Sequence, residues 1–129
     1  MSDYLTKLNS RHLPAQFPRE FDAHVYFDGQ TLPQASLLRE QALTYFKDAK
    51  VFVGHMIEGP VGPHPIPMFE INFPKELFSE VVLWLLHHHG SLSILVHELT
   101  GDDLLDHTEF AMWIGERVEL ELSAFTKKN

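Results

Sequence analysis

The chain predicts an α+β, ferredoxin-like split βαβ sandwich, an antiparallel sheet with two helices on one face. Three observations lead there. Short stretches with period-two apolar alternation are separated by two stretches with three- and four-residue apolar spacing. Their order is strand–helix–strand–strand–helix–strand. The chain has 129 residues, 44% of them hydrophobic, which suits one domain with a real core.

Residues 1–20 are polar, show no period and read as an N-terminal arm; residues 21–129 form the domain. Ala23 to Asp28 alternates, with Val25 and Phe27 on one face and His24, Tyr26 and Asp28 on the other, so it is a half-buried strand. Gly29 to Pro33 breaks it. A helix starts near Thr31 or Gln34, tolerates Pro33 in its first turn, and runs to about Asp48. Its buried stripe is Leu38, Ala42, Tyr45, Phe46 and Ala49, with Lys47 and Lys50 near its C-terminal end.

A second strand spans Val51 to Glu58. The four prolines between Gly59 and Pro67 then impose a stiff loop carrying His64. Strand three is Met68 to Phe73, burying Phe69, Ile71 and Phe73. Pro74 opens a helix to about His89, apolar over much of its circumference and therefore deeply buried, and Gly90 stops it in a left-handed conformation. Strand four is Leu92 to His97. After the acidic turn Thr100–Asp103 comes a short helical or irregular piece, and then a last strand near Arg117 to Leu122.

This topology orders the strands four, one, three, two. Strands one and three are expected as parallel central neighbours, with strand four antiparallel beside strand one. The start of strand one, the start of strand three and the end of strand four then share a rim. His24, His64 and His97 lie at or beside those places, with His24 and His97 on the face away from the helices.

Composition narrows the chemistry. There is no cysteine, which excludes disulfides, thiolate catalysis and cysteine-ligated metals. A net charge of −8 argues against nucleic acid and anionic membrane surfaces as partners. No signal peptide is visible, and the apolar run Leu77–Leu86 is too short and too polar to span a bilayer, so a cytoplasmic location is expected. No phosphate-cradling glycine loop and no nucleophile elbow is present.

The histidines remain. Imidazole ligates borderline metals and titrates near neutrality. His24, His64 and His97 are the candidate metal ligands, with Glu58, Glu70, Glu98 and Asp106 as carboxylates that could complete the set. His107 is the candidate acid/base group, with Asp106 as its orienting partner. His87-His88-His89 is set aside, since consecutive helical side chains point about 100° apart and cannot chelate one ion. Trp84 and Trp113 read as packing residues, and His12 and His55 have no evident role.

His24-Val25-Tyr26-Phe27-Asp28, Pro60-Val61-Gly62-Pro63-His64-Pro65, Leu92 to His97, and Thr100-Gly101-Asp102-Asp103 followed by Asp106-His107 resemble the DOPA 4,5-dioxygenase family, as does Trp113-Ile114-Gly115. The resemblance covers roughly residues 20 to 122. It implies a ferredoxin-like fold and a cytoplasmic non-haem iron(II) enzyme. The implied reaction is extradiol cleavage by dioxygen of a catechol such as 3,4-dihydroxyphenylalanine. His24, His64, His97 and His107 are the matching motif histidines, and Tyr26 shares the strand face of His24 and is placed to line the substrate pocket. The chain departs from the family pattern at His88-His89-Gly90, where Asn-Arg-Gly is common, at Glu98, where Pro is common, and at Ile57, where His is common. The missing arginine removes a cation that could bind a substrate carboxylate.

The residues themselves leave other readings open. Zinc or another divalent metal would suit the same ligands. A non-catalytic ferredoxin-like module that binds a partner, or a second copy of itself as a homodimer, through its open sheet face is the alternative from a different class.

Overall fold

β1 (Glu20–Tyr26) is the centre of the molecule, because both of its edges are paired and its two faces have opposite character. The computed structural model describes residues 19–126, so the expected arm and His12 lie outside the described residues up to Pro18, while Glu20 already belongs to β1. Beside β1 lie β3 (Met68–Pro74) and β4 (Ser93–Glu98). The short β2 (Phe52–Val53) flanks β3 and β5 (Ala111–Ile114) flanks β4, giving the order β2-β3-β1-β4-β5. All four pairings are antiparallel. The sheet therefore has the expected order of its first four strands, plus a fifth at the β4 edge.

One orientation differs from expectation. β1 and β3 run antiparallel, with Glu20 opposite Pro74 and Tyr26 opposite Met68. In a split βαβ unit each helix crosses over one intervening strand, so that strand must run opposite to the two it separates. The start of β3 thus lies at the end of β1, and the three strand ends do not share one rim.

Alternation on β1 holds as read. Ala23 and Val25 join Phe69, Ile71 and Phe73 of β3 and Ile94 and Val96 of β4 under the helices. α1 (Leu32–Tyr45) contributes Ala35, Leu38 and Ala42, and Phe46 follows it into the core. α2 (Phe78–His88), entered through a 3-10 turn at Lys75–Leu77, contributes Val81, Val82, Trp84 and Leu85. Leu83 and Leu86 of α2 face outward, so that helix buries one stripe instead of most of its circumference, and Tyr45 and Ala49, expected on the buried stripe of the first helix, are exposed. α1 ends before Lys47 and Lys50, which leaves no base in its last turn.

β2 is much shorter than the expected Val51–Glu58. Beyond Val53 the main-chain hydrogen bonds to β3 are Gly54 N–H to Glu70 O at 2.8 Å and the Ile57–Met68 bridge. Residues 117–122, expected as a strand, form no strand; the fifth strand is Ala111–Ile114, directly after α3 (Asp103–Asp106). Val118 and Leu120 instead pack with Ile57, Ile66, Ala111 and Trp113 on a small apolar cluster of Tyr26, Met68 and Leu95 on the open face. The chain ends its described part in α4 (Ser123–Thr126). Among the described residues no helix is long and apolar enough to cross a membrane.

Of the four glycines with positive φ among the described residues, two pack closely on their surroundings, Gly90 (φ +58°) after α2 and Gly115 (φ +79°) after β5. A Cβ on Gly90 would meet the flexible end of Gln34, whereas one on Gly115 would stand 2.7 Å from the carbonyl oxygen of Leu92, which cannot retreat without moving β4. Both substitutions to alanine incur the left-handed cost of roughly 1–2 kcal/mol. Gly115→Ala should be the more destabilising by at least about 1 kcal/mol in urea denaturation, since overpacking adds its own penalty; equal losses would show that the Leu92 strand end yields.

Candidate metal centre on the open face

The face of β1 away from the helices presents Asp22, His24 and Tyr26, at the alternate positions of the strand. β4 brings His97 to the same face, opposite Asp22. Two segments then fold over it. The proline loop closes a turn in which Val61 and His64 exchange backbone hydrogen bonds, at 3.1 and 2.9 Å, and Glu121 N–H holds Pro63 O at 2.8 Å. That turn lays His64 on the sheet. α3 delivers His107, packed against Phe125 with ring centroids 4.9 Å apart.

Four imidazoles meet there. The ring centroids of His24 and His64 are 4.1 Å apart, those of His24 and His97 5.1 Å, and those of His97 and His107 4.2 Å. His24 Nε2 lies 3.0 Å from His97 Nε2 and 3.8 Å from Asp22 Oδ2. Ligand-capable atoms fall into two compact groups that share His24: His24, His64 and His107, and Asp22, His24 and His97. The structure thus brings His24, His64, His97 and His107 together, as the sequence expects. The cause is different: loops fold onto one sheet face, and strand ends do not converge on one rim.

Second contacts fix the rings. His97 Nδ1 donates to Glu98 O at 2.9 Å and His107 Nδ1 to Asp103 O at 2.7 Å, because a carbonyl can only accept. Each ring therefore keeps its Nε2 lone pair. Tyr26 Oη and His64 Nδ1 are 2.6 Å apart. His24 Nδ1 is buried with no partner among the described residues, and the His24 residue is only 4% exposed.

Electrostatics follow from burial. Desolvation, reinforced by the neighbouring imidazoles, holds the His24 pKa well below its ordinary value. The same two causes push His64 down to about 4. Burial also lowers His97, although its bond to the Glu98 carbonyl opposes the shift. Burial raises Asp22 against the pull of its Asn72 hydrogen bond, and raises Tyr26, which keeps its proton. Three of these histidines are neutral at pH 7, the form in which imidazole ligates.

The expected carboxylates lie elsewhere. Glu58 is exposed, Glu98 is paired with Arg19, and Asp106 accepts from the Thr100 backbone N–H at 2.8 Å and from the Thr100 hydroxyl. Asp106 therefore orients its own turn, and the partner of His107 is the Asp103 carbonyl. Glu70 stands opposite His24 on β3, half-buried, its pKa raised by burial and by Asp22. Asp22 is the residue that sequence reasoning passed over. Its signal was present, since it precedes His24 by two positions on an alternating strand. The His87–His89 triple stays apart, with His88 stacked on Trp84 and bonded to its carbonyl at 2.7 Å, and His89 bonded to Leu92 O at 3.0 Å.

Known proteins resemble this chain over most of its length. The Dopa 4,5-dioxygenase family matches residues 21–124. An uncharacterized 21.2 kDa protein of Botryotinia fuckeliana is 39% identical over 114 residues, 80% of this chain and 61% of that one. A DOPA 4,5-dioxygenase of Amanita muscaria is 35% identical over 111 residues, 81% of this chain and 49% of that one. The chain thus spans about half to three-fifths of the length of these two relatives. The crystal structure of a candidate dioxygenase from Nostoc punctiforme has the same fold, with a TM-score of 0.79 at 35% identity, covering 84% of this chain and 92% of that one. With its buried imidazole cluster and a family match over most of its length, the chain belongs to the Dopa 4,5-dioxygenase family.

Proposed function

We propose that the chain is a non-haem iron(II) dioxygenase that opens the ring of a catechol, such as 3,4-dihydroxyphenylalanine, by extradiol cleavage at this cluster. The observation that carries the reading is the 3.0 Å approach of His24 Nε2 to His97 Nε2 within a buried group of imidazoles. Two nitrogens bound at about 2.1 Å to adjacent positions of one ion stand about 3 Å apart. The Nε2 atoms of His24 and His97, with the Nε2 lone pair of His107 beside them, fit a cation. His24 and His97 would hold the metal. When bound, iron supplies Lewis acidity that favours the catecholate and an electron path between ring and dioxygen.

The remaining side chains have tasks of their own. His107 Nε2 carries a lone pair beside His97 and can take a hydroxyl proton from the catechol. Tyr26, with its proton retained, shares it with His64 Nδ1, so the pair can return a proton to a ring-opened product. His64, expected as a ligand, serves proton transfer in this reading. Trp113, stacked on Tyr26 at 5.9 Å, with Ile66 and Val118, gives an apolar wall suited to a flat aromatic ring. Against the binding-module reading, Ile57, Ile66, Val118 and Leu120 of the same chain already pack on the apolar part of the open face.

Anaerobic loading with iron(II), then oxygen and a panel of catechols, should give a yellow ring-opened product with matching oxygen uptake. Neither colour nor uptake across the panel overturns the assignment. His24→Ala should lose both metal and turnover. His107→Gln should keep the metal and lower kcat by about 10²–10⁴-fold; loss of the metal would instead make His107 a ligand.

The lowered imidazole pKa values also set a pH dependence of stability. Between the ordinary value of 6.5 and the folded-state value of about 4 for His64, the unfolded chain binds more protons, so stability rises with pH across that window. Metal-free protein should therefore show a Tm that falls by several degrees from pH 7 to pH 5, on the scale of a few kcal/mol in a small domain. The raised Asp22 pKa acts with the opposite sign, and nearer its ordinary value of 3.8. His64→Gln should flatten the slope above pH 5; an unchanged slope would remove His64 as its source.

A further inference from the structure

We infer that Asp22 is the third ligand of the metal held by His24 and His97, and that Asn72 positions it. This rests on the metal reading above. Asp22 is 8% exposed, a rare place for a carboxylate without a strong partner. Its two oxygens are differently engaged. Asn72, directly opposite on β3, donates its amide to Oδ1 at 3.0 Å, and the same amide lies within 3.3 Å of Phe21 O. Oδ2 is left toward His24 Nε2 at 3.8 Å, too long for a hydrogen bond, and belongs with His24 and His97 to one buried group of ligand-capable atoms.

A buried carboxylate that close to a neutral imidazole, without a hydrogen bond to it, lacks a counter-charge. A divalent cation supplies one, and the His24 and His97 Nε2 atoms, 3.0 Å apart, stand close enough to bind it together. Two imidazoles and one carboxylate are the donor set of non-haem ferrous oxygenases, and they leave positions open for two catechol oxygens and dioxygen. His64 lies outside this compact group of ligand-capable atoms, and its Nδ1 is engaged by Tyr26. The other imidazole group, His24 with His64 and His107, is the competing site.

The test is metal affinity, read without turnover. Cobalt(II) titration of the full chain under anaerobic conditions gives a Kd and a visible absorption spectrum that reports coordination. Asp22→Asn, nearly isosteric, should weaken cobalt(II) by well over tenfold and change the spectrum. Asn72→Ala should weaken it about 10-fold with the spectrum retained, as expected for a residue that orients a ligand. His64→Gln should leave the Kd within about threefold, far less than a lost ligand or orienting contact costs. If Asp22→Asn leaves both Kd and spectrum unchanged while His64→Gln or His107→Gln abolishes binding, the competing group holds the metal and this assignment falls alone. If the wild-type chain binds neither cobalt(II) nor iron(II), the metal reading falls with it. Tight binding lost in Asp22→Asn but no ring cleavage would uphold Asp22 and overturn only the proposed reaction. Circular dichroism of Asp22→Asn and Asn72→Ala confirms that each variant folds before it is titrated.

Discussion

The constraint on which the structure depends is the two-faced character of β1. Paired on both edges, this strand has no freedom to twist away, so every odd position from Ala23 enters the helix-covered core and every even one faces the open side. A slip of register by one residue would place Asp22, His24 and Tyr26 under the helices. The apolar residues Ala23, Val25 and Phe27 therefore fix the site as firmly as the polar residues that form it. Core and chemistry are two sides of one alternation.

That polar face is costly on its own terms. Three imidazoles with depressed pKa values, a desolvated carboxylate and a nitrogen with no partner among the described residues occupy one side of a small sheet. Each would be better solvated in the unfolded chain. The phenylalanine-rich core of Phe69, Phe73 and Phe46, with Trp84 and Leu85, offsets this. So do the cross-links that press the covering segments down: the Val61–His64 turn, the Glu121–Pro63 bond and the Thr100–Asp106 contacts. The site is assembled by loops that have few apolar contacts of their own, on a strand that has many.

Much of this was legible in the residues. Period-two patterning located β1, β3 and β4 to within three residues, and buried apolar residues at three- and four-residue spacing located α1 and α2. Patterning could not give the direction of β3, which is set by the crossover geometry of the helices and not by any local signal. Nor could it show that Val118 and Leu120 lie on the sheet as a cover, since alternating apolar residues look the same in a strand and in an extended segment packed on one. The histidines were legible as a set because four of them sit in or beside short rigid segments. Asp22 was not, because an aspartate near a strand start reads as solvated until its neighbours are known. Asp106 shows the converse error: adjacency to His107 in sequence implied a partnership, but one helical turn directs its carboxylate to Thr100.

The burial of so many polar groups on this face carries a thermodynamic consequence. A ligand that binds the folded chain and not the unfolded one stabilises it by RT ln(1 + [L]/Kd), about 2.7 kcal/mol at one hundred times Kd. Here the same groups that would bind the cation are those whose burial disfavours folding without it. Binding would supply a counter-charge for Asp22 and replace the hydrogen bond between His24 and His97 with two metal–nitrogen bonds. The metal would then belong to the fold as well as to the reaction. The family likeness alone does not require this coupling; it follows from placing the ligands on the central strand, where their strain is shared with the core through a single backbone.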